Sequence, residues 1–178
     1  MNKENVKKEV FEWTKYLMVS VVLSLIVVNF VAQSTKVYSV SMQPTIYEGN
    51  RILIEKISQK MNLLKRGEII AFKAPTQDEN FIKRIIGLPG DKVVIKDGKV
   101  FVNDKELHEP YLKDGTTNGS INLVVPSGKL FVMGDNRLNS YDSRAFGCID
   151  LNSVVGRALF QYYPLDKISS LNQKDPIK

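Results

Sequence analysis

Lys92-Val-Val-Ile-Lys96, Asp97-Gly98, Lys99-Val-Phe-Val-Asn103 is the stretch that decides the fold. Two runs rich in β-branched and aromatic residues flank an Asp-Gly pair, and two-residue Asp-Gly loops form type I′ turns whose twist suits antiparallel strands. The stretch reads as a β-hairpin. Outward from it, Arg51-Ile-Leu-Ile-Glu55, Glu68-Ile-Ile-Ala-Phe72, Phe81-Ile-Lys-Arg-Ile-Ile86 and Leu130-Phe-Val-Met133 are further short runs bounded by Gly, Pro, Asp or Asn. Leu88-Pro-Gly-Asp91 is a turn, and Lys113 to Ser120 has the composition of a solvated loop. No repeat, low-complexity linker or long amphipathic helical pattern competes. The expected fold is mainly β, one antiparallel unit, with helix confined to the N-terminal segment and one late turn near Asp150 to Val154.

The N-terminal segment is apolar on a different scale. No charged residue stands between Lys15 and Lys36, and about 20 residues of helix would reach roughly 30 Å, the thickness of a bilayer core. Trp13 and Tyr16 stand where an interfacial aromatic belt would lie, and Lys3, Lys7, Lys8 and Lys15 precede the span. The positive-inside rule therefore sets the N-terminus in the cytoplasm and the remainder across the membrane. The division expected is 1–15 cytoplasmic, 16–35 a single transmembrane helix, and 36–178 an extracytoplasmic β domain. A cleaved signal peptide is the competing reading, because Ala32-Gln-Ser34 is a small-x-small site; the apolar stretch is longer than a signal h-region.

A length of 178 residues fits one domain plus its appendage. The net charge of +6 is spread along strand-like runs with no basic stripe interleaved with aromatics, which speaks against nucleic acid and for anionic lipid headgroups beside the domain. Cys148 is alone, so no internal disulfide can form, and His108 is the one histidine. A closed tetrahedral zinc site would have to be completed by carboxylates. No imidazole is at hand to serve as a common catalytic base.

That shortage directs attention to Ser39-Val-Ser41-Met-Gln-Pro44 and to Lys83. In an extended segment the Ser39 and Ser41 hydroxyls project to one side, so one could attack a carbonyl while the other donates to the oxygen that becomes negative. Such a pair is also what an ordinary solvent-facing strand contains. Pro44 ends regular strand pairing after it. Lys83 could act as a base only if desolvated, since a lysine with a pKa of about 10.4 is almost wholly protonated at neutral pH. By strand parity Phe81 and Ile85 share its face while Ile82, Arg84 and Ile86 take the other, so burial could lower its pKa by up to about 3 to 5 units. The alternative is that Lys83 and Arg84 are both surface charges guarding an edge strand.

Met133-Gly-Asp135-Asn-Arg137-Leu-Asn-Ser140-Tyr-Asp142-Ser-Arg144 completes the pattern. SMQPT, FIKRIIGLPGD and MGDNRLNSYDSR, in that order behind an apolar helix, resemble the bacterial type I signal peptidases in their compact form. The resemblance implies a membrane-anchored serine endopeptidase that removes signal peptides from secretory preproteins after Ala-X-Ala, with no cofactor and no metal. It makes Ser41 the nucleophile, Lys83 the general base, Ser39 with the Ser41 amide the oxyanion hole, and Ser140 the residue that orients the lysine. Asp135, Arg137, Asp142 and Arg144 become supports, and Val37, Tyr38, Met42, Ile46, Phe81, Ile82 and Tyr141 candidate walls for substrate. Partners would be preproteins and membrane lipid, with neither nucleic acid nor metal, at the outer face of the bacterial cell membrane. Gly49-Asn50 departs from the Gly-Asp of many such proteins. A nonenzymatic anchored β binding domain and a Ser/Lys protease of another kind, such as a self-cleaving repressor, are the rival readings.

Overall fold

In the computed structural model, which describes residues 3–61, 63–112, 115–171 and 176–177 and side chains from Lys7 onward, helix α1 (Lys3–Ile26) continues through a π-helical turn at Val27–Val31 into strand β1 (Ala32–Lys36). The Lys3 side chain, and Lys113 and Asp114 of the expected solvated loop, lie outside the described residues. The segment Lys7–Val31 is long and apolar enough to cross a bilayer, and none of it is buried in protein. Trp13 and Tyr16 are exposed on it. The helix stops short of residue 35: Ala32 to Thr35 pair with Glu55 to Ile52 instead. A ladder partner satisfies these backbone groups as well as another helical turn would, and Thr35 favours the extended form.

The remaining strands are β2 (Arg51–Glu55), β3 (Ile69–Lys73), β4 (Asn80–Gly87), β5 (Lys92–Lys96), β6 (Lys99–Val102), β7 (Lys105–Glu106), β8 (Ile121–Val124), β9 (Lys129–Met133), β10 (Ile149–Asp150), β11 (Val154–Tyr163) and β12 (Ser169–Ser170). Short helices α2 (Ile57–Lys60) and α3 (Ser143–Phe146) lie between them. The expected late turn is a 3-10 helix at Leu151–Ser153. One sheet runs β1-β2-β11-β3-β4-β9-β10 with β12 on β11, and a smaller one runs β7-β6-β5-β8; every pairing is antiparallel.

The β5–β6 hairpin forms as its residues require. Lys96 stands opposite Lys99, and Asp97 (φ 53°) and Gly98 (φ 77°) both take the left-handed conformation a type I′ turn demands. Its apolar residues Val93, Ile95, Val100 and Val102 pack with Ile86, Phe131 and Met133, which joins the small sheet to the large one. A second cluster (Val37, Met42, Ile46, Ile52, Ile54, Ile69) fills the large sheet near β1, and a third (Ile70, Phe72, Ile85, Val132) lies near α3. Burial of each such side chain contributes roughly 1.5 to 3 kcal/mol.

The β4 strand crosses between these clusters. Ile82 packs on the cluster near β1, Ile86 in the one that joins the sheets and Ile85 in the one near α3. Both of its faces are therefore covered at the centre, which is why Lys83 and Arg84 are both buried despite opposite parity. The edge-strand reading of these two cations is thereby corrected. Asn50, the departure from the Gly-Asp pattern, is buried too and donates to Gln161 Oε1 at 2.5 Å. An amide fits this partner where a carboxylate would have no proton to give.

Candidate active site

Ser41 and Lys83 reach each other from distant parts of the chain. The segment after β1 does not stay extended, as the two-residue serine spacing suggested. It turns at Val40, with Gln43 N–H donating to Val40 O (3.2 Å) and Ile46 N–H to Met42 O (2.9 Å). Pro44 has no amide to keep a ladder going, so a turn suits the sequence better than a strand. The turn carries Ser41 inward, where it is 4% exposed, and leaves Ser39 exposed above it, with the Ser41 amide donating to Ser39 Oγ at 3.1 Å.

Lys83, also 4% exposed, donates from Nζ to Ser41 Oγ at 2.7 Å. The Phe81 ring lies 5.2 Å from the same nitrogen. Loss of water around the ammonium lowers the Lys83 pKa to about 8, even though Asp142 and Asp135 pull it upward. Burial outweighs the two carboxylates, and each carboxylate has a cation of its own.

Those cations are arginines. Arg84 holds Asp135 through Nε (2.8 Å) and Nη2 (2.6 Å), both side chains fully buried, and donates from Nη1 to Gly67 O at 2.7 Å. Thr45, in the Ser41 turn, donates to Asp135 Oδ2 at 2.5 Å. Asp142 caps α3, accepts both Nε and Nη2 of Arg144 at 2.9 Å, and accepts the Gly134 amide at 3.0 Å. Burial would raise the Asp142 carboxyl, but Arg144 and the Gly134 amide bring it below the ordinary value. Arg137 is the third support, donating to Gly134 O (3.0 Å) and pairing with Glu109 at 2.5 Å.

Ser140 Oγ is buried and makes no hydrogen bond to Lys83; it helps, last among several groups, to lower the Asp142 carboxyl. Its place beside the pair is fixed by Gly134. A Cβ at 134 would overlap Ser140 Oγ and lie 2.5 Å from Ser41 O, so only glycine lets the two segments close. Asn136 adds backbone pairing to Ser41 O at 3.0 Å.

A cleft of about 660 Å³ opens over Ser41 and Lys83. Val37, Tyr38, Ser39 and Met42 line one wall, and Phe81, Ile82 and Tyr141 the other. Ile46 is the expected wall residue that does not reach it, being wholly buried in the core beneath. Tyr141 meets Phe81 and Phe146 edge-on at 6.4 and 5.2 Å, so its wall is a packed aromatic group. The β9 strand begins its pairing with β4 only at Arg84, so Asn80 to Lys83 have no strand on the cleft side among the described residues. Gln33, Thr35, Lys36, Glu79, Asn80 and Asn139 also line the cleft, none of them singled out from sequence. Gly134, Thr45, Glu109 and Tyr111 were likewise missed; for Gly134 the signal was there, a glycine inside a polar run that cannot be a strand.

Cys148 takes no part: half-buried against the cluster that joins the two sheets, its thiol is pushed up by burial.

An extended open edge beside a buried serine hydroxyl and amine is the equipment of a peptidase. The sequence model of the family described as signal peptidase, peptidase S26, matches residues 10–163. Signal peptidase I of Bacillus licheniformis is 37% identical over 175 residues, covering 92% of this chain and 94% of that protein. Signal peptidase IB of Staphylococcus aureus (strain COL) is 35% identical over 179 residues, covering 90% and 93%. Among solved structures, signal peptidase I of Enterococcus faecalis V583 superposes with a TM-score of 0.50 at 35% identity, covering 53% of this chain and 95% of that one. The chain belongs to the signal peptidase S26 family. It is a serine endopeptidase, a hydrolase that removes signal peptides from secretory preproteins.

Proposed function

We propose that cleavage is carried out by Ser41 as nucleophile and Lys83 as general base, on preproteins that carry Ala-X-Ala before the scissile bond. The observation that carries this reading is the 2.7 Å contact between two groups that are both almost fully buried. A serine needs a base within hydrogen-bond reach, and a lysine becomes one when it loses water.

The preprotein adds as a strand along Asn80–Lys83, where β4 pairs with β3 on one side and has no described strand on the cleft side, with its reacting carbonyl over Ser41. Neutral Lys83 accepts the Ser41 proton as Oγ attacks. The Ser39 side chain rotates off the Ser41 amide, and the freed amide and the Ser39 hydroxyl both donate hydrogen bonds to the developing oxyanion. The Lys83 ammonium then protonates the departing amine, and a water deprotonated by the same amine releases the signal peptide from Ser41. Ser140, packed beside Ser41 against Gly134, orients the lysine as it changes partner. Asp135, Arg137, Asp142 and Arg144 hold the segment without exchanging protons.

Small side chains are chosen because Val37, Met42, Phe81 and Ile82 leave shallow room, and each excess methylene is discriminated by roughly 1 to 3 kcal/mol. Tyr38 and Tyr141 close the cleft further out. The chain divides into a cytoplasmic segment (1–15), an uncleaved membrane span, and an extracytoplasmic β domain at the cell membrane. Support for the span is the apolar helix Lys7–Val31, and for its orientation the lysines that precede it. Lipid borders the span.

The test is the pair Ser41→Ala and Lys83→Ala, assayed in detergent on a preprotein with an Ala-X-Ala site and checked by N-terminal sequencing of the product. Loss of cleavage in both supports the reading; full cleavage by either one overturns it.

A further inference from the structure

We propose that Tyr111 is a positioning residue for the cleavage reaction: its ring holds the Arg84 guanidinium against Asp135 and so keeps that carboxylate from stabilising the Lys83 ammonium. The inference rests on Ser41 and Lys83 being the reacting pair.

Two carboxylates act on Lys83, Asp135 and Asp142, and each is engaged at two points by its own arginine. The base strength of Lys83 therefore depends on how firmly the arginines stay in place. Both are held from behind by the loop that links β7 to β8. Arg144 Nη1 donates to Asn118 O at 3.3 Å, and Arg84 Cζ stacks 3.9 Å from the centre of the Tyr111 ring.

The ring itself cannot swing away. Tyr111 is buried, its hydroxyl donates to Glu109 Oε1 at 2.9 Å, and Glu109 is gripped by Arg137 Nη2 at 2.5 Å and Nη1 at 3.2 Å. Thr117, also buried, accepts from Arg137. The loop thus inserts an aromatic face, braced by an ion pair, directly behind the cation that neutralises Asp135.

The charged and titratable groups around Lys83 are few. Asp135 and Asp142 come from the segment after β9, with Arg84 and Arg144 behind them; the Ser41 turn brings a hydroxyl, and β3 places Ile70 opposite. Without an electron-rich face at 111, the guanidinium loosens on Asp135, the carboxylate carries more of its charge toward Lys83, and the protonated amine gains. The acidic limb of the pH profile then moves to higher pH.

The experiment replaces Tyr111 by Phe, Leu and a series of increasingly fluorinated phenylalanines in the full-length enzyme. Rings of the fluorinated series keep their shape while the negative face is withdrawn, so folding is preserved even where Tyr111→Leu lowers it. kcat/KM on a preprotein is followed against pH, with thermal unfolding in parallel. Tyr111→Phe loses the Glu109 brace but keeps the buried electron-rich ring, so its limb is the reference for the series; the fluorinated rings are expected to move it alkaline stepwise from there, and Tyr111→Leu to move it by roughly half a pH unit to one pH unit. A limb that stays fixed across the series, with activity falling equally at every pH, overturns the inference and leaves Tyr111 a packing residue. If Lys83→Ala retains cleavage, the reacting pair itself is wrong; if it is dead and the limb is fixed, only the role of Tyr111 falls.

Discussion

Lys83 Nζ lies 2.7 Å from Ser41 Oγ with both side chains almost wholly out of water, and this fixes the direction in which pH acts. Burial lowers the Lys83 pKa from 10.5 to about 8, so the neutral amine proposed as the base appears as pH rises through about 8. kcat/KM is expected to climb through that region and level off before the ordinary lysine range. A profile still rising at pH 10 contradicts a desolvated base.

Burial of the same amine also makes stability depend on pH. Between about 8 and 10.5 the unfolded chain holds the Lys83 proton and the folded chain does not, so stability rises with pH across that window. Below about 8 the folded protein carries the full penalty of a buried ammonium, roughly 1.4 kcal/mol for each tenfold loss of proton affinity. Lys83→Met should therefore raise the Tm at pH 7 and do so less at pH 10. Equal changes at both pH values, measured by calorimetry, would show that the lysine is not desolvated.

Gly134 offers a sharper steric test. A methyl group there overlaps Ser140 Oγ and meets Ser41 O at 2.5 Å, one a side chain that can rotate and the other backbone that cannot. Gly134→Ala must displace the Ser41 turn, and a misplacement near 1 Å costs about 100-fold in rate. The expected outcome is a fall of that order in kcat with substrate affinity little changed. Wild-type kcat would mean that the segments do not need their close approach.

The Arg84–Asp135 pair, with neither side chain exposed, should behave as a unit. Removing either partner strands a buried charge and destabilises by about 3 to 5 kcal/mol, whereas replacing both with apolar residues of similar volume costs less. Denaturant unfolding of Arg84→Met, Asp135→Leu and the double variant checks this. Additive losses in the double variant would mean that the two charges are not coupled.

What could be read from the sequence followed from locality. The Asp97-Gly98 turn, the run Arg51–Glu55 and the 3-10 turn at Leu151–Ser153 depend on neighbours in the chain, and the residues declare them. Strand β11 was missed because Gly156 and Arg157 interrupt its apolar pattern; Arg157 is tolerated there only because Glu55 and Glu68 arrive from β2 and the segment before β3. Parity along β4 put Lys83 and Arg84 on opposite faces and left open whether one is inside or both are surface charges; whether both faces are covered depends on sheet curvature, which no single strand encodes. At the site, residue types and the shortage of histidine directed attention to Ser39, Ser41 and Lys83, but the pairing of Ser41 with Lys83 came from the resemblance carried by the three motifs together. Glu109 and Tyr111 were not legible, since their relation to Arg84 and Arg137 exists only once the small sheet folds back.

Ser39 presents the last prediction. It is exposed, and its hydroxyl oxygen accepts the Ser41 amide at 3.1 Å. Rotation of the Ser39 side chain off that amide needs no backbone movement and would leave the amide and the hydroxyl both free to donate to a tetrahedral oxyanion, the role proposed for them. Loss of one such donor costs about 100- to 1,000-fold in kcat, because the interaction strengthens only as charge develops. Ser39→Ala should show that fall with KM nearly unchanged and the pH limb of Lys83 in place, and Ser39→Thr should recover activity by restoring the hydroxyl. If Ser39→Ala instead raises KM and spares kcat, the residue holds substrate in the ground state and the oxyanion is held elsewhere.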